Sequence, residues 1–151
     1  MTLNIANITN KLQSFSLATG LFEAVNGHEP KKPPGNGLSC ALWAQSVGFA
    51  RNASGLSATT ALLVMNQRIF TSMLSEPQDA IDPEMLNAVD VLFTAYNGDF
   101  DLGGEVRNID LLGQFSNGLS AQAGYINVSG NNYRVMTITL PMVVNDAWSQ
   151  A

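Results

Sequence analysis

Charge is the scarcest resource in this chain: seven Lys/Arg and twelve Asp/Glu in 151 residues, 13% in all, about half the usual share for a globular domain. Cysteine and histidine occur once each. A single Cys40 excludes an internal disulfide, and one Cys with one His cannot supply a zinc site. Long apolar runs are missing too. A membrane-spanning helix needs about 20 consecutive apolar residues, and Asn, Asp, Ser, Thr or Gly interrupts every apolar run here. Basic clusters stop at the pair Lys31 and Lys32, and net charge is −5. Duplex nucleic acid, whose binding rests on several Lys/Arg–phosphate contacts, is therefore not an expected direct ligand. The N-terminus shows neither the basic nor the apolar region of a secretion signal, so the three Asn-X-Ser/Thr triplets at Asn7, Asn52 and Asn127 read as chance matches.

What is present suffices for one folded unit spanning 1–151. Hydrophobic residues make up 46%, enough for a core. Ile5, Ile8, Leu12 and Phe15 recur at helical spacing, with Thr2 able to cap the helix and Gly20 to end it. A short strand is expected over 21–25. Residues 28–37, HEPKKPPGNG, hold three prolines and two glycines. They predict an exposed loop, solvated or reaching a partner. Strand-like runs cover 38–49 and 59–73. In the second, Leu62 to Met65 are consecutive apolar residues, so both faces should need cover; a helix over 57–66 is the competing reading.

A second helix is the clearest element. Asp82 suits the N-cap, Pro83 the first turn, Met85, Val89, Leu92, Phe93 and Tyr96 share a face, and Gly98 should close it in the left-handed conformation. A strand over 105–112 follows, with Arg107, Ile109 and Leu111 on one side. A hairpin then runs from 124–128 through a turn at 129–132 to a strand over 133–144. Met136, Ile138, Leu140 and Met142 share one face of that strand. Pro141, which has no backbone N–H, predicts an edge or an exit from the sheet there. The fold class is α+β: a mostly antiparallel sheet of about five or six strands, two helices packed on it, and a closing C-terminal β-hairpin.

Chemistry finds little footing. His28 lies in the Pro-rich loop, and no Gly-X-Ser-X-Gly elbow occurs. Counted from Asn97, nine residues hold three carboxylates, Asp99, Asp101 and Glu105. Leu102 stands where a calcium loop of EF-hand type needs glycine, and Asn108 where it needs a bidentate Glu. No glycine-rich phosphate loop or dinucleotide fingerprint is present. Cys40 reads as a buried free thiol. The expectation is no enzyme, with no catalytic, cofactor-binding or metal-binding residues. Arg68 stands apart because it interrupts a long apolar run, where a charge must reach water, an internal partner or a neighbouring subunit. Arg107 and Arg134 raise the same question. With Lys31 and Lys32 these are the candidate protein-interface residues.

Several strings together resemble the tail terminator proteins of long-tailed bacteriophages, in the variety found among phages of actinobacteria. They are EPKKPPGNGL at 29–38, SGLSA at 54–58, RIFT at 68–71 and EPQDAIDP at 76–83, followed by GDFDLGG at 98–104, SAQAGY at 120–125, YRVM at 133–136 and VNDAW at 144–148. The resemblance spans nearly the whole chain. It implies a hexameric ring in the virion that caps the tail tube, stops tube polymerisation and joins the neck or head-completion proteins. DNA would pass through the lumen without specific binding, no membrane would be involved, and assembly would take place in the host cytoplasm. It carries no catalytic residues. The competing expectations are a tail tube subunit or a neck or head-completion protein, and more remotely a small enzyme or ligand-binding domain. Low charge suits large neutral interfaces, and a ring requires two different patches that meet head to tail.

Overall fold

The computed structural model describes residues 5–22, 24–26, 38–49, 58–72, 81–104, 106–113, 118–128 and 130–149. Thr2, His28, Lys31, Lys32, the rest of the Pro-rich loop and Glu105 fall outside them.

Helix α1 is Ile5–Ala18. Ile8, Leu12 and Ser16 repeat every four residues and are buried, and Phe15 packs beside them. Gly20 ends the helix as expected. Its φ is 70°, a left-handed conformation that costs glycine little, and its N–H donates to the Leu17 carbonyl at 3.1 Å. Helix α2 is Ile81–Gly98. It begins before the expected cap, so Asp82 and Pro83 sit within its first turn, where backbone N–H groups have no intrahelical acceptor and proline does no harm. Met85, Ala88, Leu92 and Tyr96 are buried, with Val89 and Phe93 partly so.

Gly98 does not close the helix in the left-handed form. The Asp99 N–H continues the ladder to the Ala95 carbonyl at 3.0 Å. The left-handed residues come later, at Leu102 (φ 52°), Gly103 (φ 69°) and Gly104 (φ 94°). For Leu102 that conformation costs about 1–2 kcal/mol, comparable to what full burial of a leucine side chain returns, and Leu102 is completely buried in the core.

Among the described residues the sheet has six strands: β1 Ala24–Asn26, β2 Ser39–Phe49, β3 Ala58–Ser72, β4 Asn108–Ile109, β5 Ser120–Val128 and β6 Asn131–Ser149. Their order is β1-β2-β3-β6-β4, with β5 also on β6. Every pairing is antiparallel except β1 with β2. The architecture is therefore α+β, and the described part of the run with a competing helical reading, 58–66, is strand.

Four expectations about the strands are corrected. The first strand is shorter and later than 21–25. The stretch 105–112 is not a regular strand, since only Asn108 and Ile109 pair, with Val143 and Met142. Here the chain is clasped from two sides. The Arg107 N–H reaches the Val143 carbonyl (2.7 Å) and Asp110 N–H the Pro141 carbonyl (2.8 Å), while Ile109 N–H turns the other way to the Phe100 carbonyl (2.6 Å). Arg107 consequently points to solvent while Ile109 is buried. Pro141, finally, lies neither at an edge nor at an exit. It is buried in the middle of β6, opposite Val64 of β3. The two hydrogen-bonding groups of a strand residue point to the same side, and the Pro141 carbonyl points toward Asp110. Its missing N–H therefore falls in the gap between β5, which pairs up to Thr139, and β4, which pairs from Met142. The hairpin is also tighter than 129–132, because Val128 already pairs with Asn131 and Gly130 has φ 85°.

Both helices lie on one face of the sheet. Leu42, Leu63, Met65, Ile69, Met136, Ile138, Leu140 and Met142 project toward them into a single core, each contributing about 2 kcal/mol of burial. Phe15 meets Tyr96 edge-on, centroids 6.3 Å apart. The opposite face carries no helix from the described residues. Between 61 and 69 β3 alternates: Leu63 and Met65 are buried on the helix side, and Leu62 and Val64 are half-buried on the other, where Phe70 joins a separate buried cluster with Ala41, Tyr133 and Val135. The expected cover on both faces is thus complete on one only.

Candidate assembly surfaces

Four polar or titratable side chains beneath the helices, Ser16, Cys40, Gln67 and Tyr96, are bound to one another. Gln67 occupies a core-facing position of β3, between Met65 and Ile69. The Tyr96 hydroxyl donates to Gln67 Oε1. Gln67 Nε2 donates to Ser16 Oγ (2.6 Å) and to Cys40 Sγ (3.2 Å), and the Ser16 hydroxyl donates back to the Leu12 carbonyl (3.0 Å). Four elements, α1, α2, β2 and β3, meet in this fully buried cluster. No buried side-chain polar atom among the described residues lacks a partner. Burial pushes the Cys40 thiol up to about 11 despite the hydrogen bonds from Gln67 and Ser16, and raises Tyr96 above the ordinary phenol range. A neutral, enclosed thiol is not a nucleophile at physiological pH. Sequence reasoning named Cys40 as buried, placed Tyr96 on the core face of the second helix, and missed Ser16 and Gln67. The available signal was a serine on the 8-12-16 stripe and a glutamine on the 63-65-67-69 alternation.

The carboxylates of the 99–101 turn are occupied structurally. Asp99 Oδ1 and Asp101 Oδ1 both accept from the Gly103 N–H, at 3.0 and 3.2 Å. They stabilise the left-handed bend that follows α2. No group of three His, Cys, Asp or Glu among the described residues could hold a metal ion, and no helix there is long and apolar enough to cross a membrane.

The three described candidate arginines do not converge. Arg107 is exposed, with Nη1 3.5 Å from Asn145 Oδ1. Arg134 pairs in register with Thr71 and Tyr125, on the helix side of the sheet near the hairpin. Its guanidinium lies 4.5 Å from the Tyr125 ring centroid, and Nη1 donates to the Gly124 carbonyl (3.2 Å). Arg68 is on the helix-free face, in the middle of β3. Its guanidinium lies 5.1 Å from the Trp43 ring centroid, and its Nε donates to Thr137 Oγ1 at 3.0 Å.

Sequence reasoning also missed the most exposed polar backbone of the fold. Among the described residues, strand β2 is covered by β1 only at Ser39–Ala41, and from 42 to 48 it pairs with β3 alone. Strand β5 likewise pairs, among the described residues, with β6 alone over its whole length. These two open edges lie on opposite sides of one sheet. Alternate N–H and C=O groups along 42–48 and along 121–127 face outward. Monomeric proteins usually protect such edges with charge, proline or bulges. Neither β2 nor β5 contains a charged residue or a proline. One bulge, near Gln45, interrupts β2, and β5 has none. Both edges also display apolar side chains, with Phe49 62% and Tyr125 65% exposed. The chain matches no protein-family model, and no curated protein is similar to it in sequence.

Proposed function

We propose that this chain is a structural subunit that associates with copies of itself head to tail, and that it closes a phage tail tube as a terminator ring. The observation that carries the reading is the pair of open, uncharged strand edges on opposite sides of one sheet. Two different edges that meet form a heterologous contact, which gives a ring when the rotation closes and a filament when it does not. Strand addition at such edges satisfies backbone groups in register and tolerates neutral side chains.

The choice of a ring, of six copies, and of the tail tube and neck proteins as partners comes from the sequence resemblance. A virion location and a lumen through which DNA passes come from the same source. The scarcity of charge supports an exterior that is largely covered on assembly. The buried, hydrogen-bonded state of Cys40 fits a chain that transforms no substrate.

Electron microscopy of the purified chain tests this. Single rings with six-fold symmetry are the expected particles. Long filaments would instead favour a tail tube subunit, and a monomer at high micromolar concentration would overturn the assembly reading altogether.

A further inference from the structure

We infer that the depression around Arg68 is a receptor for a carboxylate side chain of a second copy of this chain; the inference rests on the self-association reading and names a partner group for it. The depression, about 290 Å³, lies on the helix-free face across β3, β6 and β5. Its polar lining comes from Arg68, Gln122 and Thr137, its apolar lining from Ile126 and Val135, and the backbone of β5 from 122 to 126 closes one side. Across 39–49, 59–71, 120–127 and 132–145, the parts of β2, β3, β5 and β6 whose side chains are described, Arg68 is the single charged side chain on that face.

The guanidinium is oriented before any partner arrives. Trp43 stacks on it and Thr137 holds its Nε, so most of its rotamer freedom is already lost. A guanidinium has five N–H donors. One is used here, and the two terminal amino groups meet no carboxylate among the described residues. That fork matches the two oxygens of a carboxylate. Half-burying an arginine without a counter-charge is unfavourable, and a carboxylate from outside would relieve the cost. The volume suits a side chain and is small for a nucleotide or a folded peptide.

Two observations favour a second copy as the source. Acids outnumber bases by twelve to seven, and Glu84 and Asp90 are exposed on α2, so another copy has accessible carboxylates to present. Gln122 and Tyr125 belong to β5 itself, so the depression adjoins the open edge at which the neighbour would dock.

The test uses the full chain at a concentration where the wild type assembles. In R68K, mixed from 14N- and 15N-labelled copies, carbodiimide should form an amide between the amine at position 68 and an Asp or Glu of another copy. Peptide mass spectrometry would show it as a mixed-isotope pair. R68Q should raise the concentration needed for half-assembly about tenfold or more, as expected for losing a charged hydrogen bond. It should also flatten the salt dependence of assembly while leaving the thermal midpoint of the dilute protein nearly unchanged. Coupling at position 68 only within one copy, or unaltered assembly of R68Q, would overturn the inference and leave the ring reading standing. A wild type that never associates would remove both.

Discussion

The two faces of the sheet are built to opposite specifications. On the helix side, Leu63, Met65, Ile138 and Leu140 are sealed beneath α1 and α2, and the polar atoms of Gln67, Ser16, Tyr96 and Cys40 satisfy one another. On the other side, Leu62, Val64 and Arg68 stay half-exposed beside a smaller buried cluster of Ala41, Phe70, Tyr133 and Val135. The single charge there is held by Trp43 and Thr137 with donors to spare, and the strands end in open edges. The contrast separates what holds one copy together from what is available to hold copies to each other. It can be sharpened with substitutions one residue apart.

The largest effect is expected on the helix side. Leu63→Ala should cost about 3 kcal/mol of unfolding free energy, within the range for truncating a buried leucine. Leu62→Ala, its half-buried neighbour facing the other way, should cost under about 1 kcal/mol. Urea unfolding of the dilute protein measures both, and equal losses would dissolve the distinction between the faces. Gln67→Leu comes next. It leaves the Tyr96 hydroxyl without its acceptor and Ser16 without its donor in a closed core, at about 2 kcal/mol. Tyr96→Phe removes one bond and should cost less.

Gly118→Ala should cost about 1–2 kcal/mol. Its φ is 84°, and an added Cβ would lie 3.0 Å from the Leu111 carbonyl oxygen and the Gly113 nitrogen, so both backbone conformation and space oppose it. On the open side, Ala123→Lys in β5 should leave the urea midpoint almost unmoved while weakening self-association at least tenfold, because a charge is placed on a bare edge. Gel filtration across a dilution series reads the second effect.

The smallest effect is pH-dependent. Cys40 is raised in the folded protein from about 9 to about 11. The folded state therefore favours the protonated thiol, and this contribution is intact below pH 9. As pH climbs from 9 toward 11, the unfolded chain releases the proton first and stability falls. Tyr96 shifts in the same direction and adds to the decline at still higher pH. Urea midpoints measured from pH 7 to 11 should be flat and then drop, and in Cys40→Ser the drop should begin later.

Periodicity made much of this legible. Both helices, β2, β3 and the Met136-to-Met142 stripe follow from spacing, because each buries one face against a continuous core. What spacing could not reveal depends on partners distant in sequence. Pro141 reads as a strand breaker until one sees that β4 and β5 leave a gap beside it. The 105–112 stretch reads as a strand until Phe100 is found competing for its backbone. Gly98 reads as a cap until Leu102 takes the left-handed turn in exchange for burial. Arg68 was conspicuous as a charge in an apolar run, but its platform of Trp43 and Thr137 comes from two other strands. The open edges were invisible for the same reason, since an edge is defined by the strand that is not beside it. Lys31 and Lys32, singled out from the Pro-rich loop, lie outside the described residues.

Hydrogen–deuterium exchange of the full chain, compared between dilute and assembled samples, asks the central question directly. Assembly should slow exchange of peptides covering 42–48 and 121–127 together, with little change in the β3–β6 ladder that is already paired. If the chain assembles while both edges go on exchanging as fast as in the dilute protein, copies are not joined along those strands and the account fails.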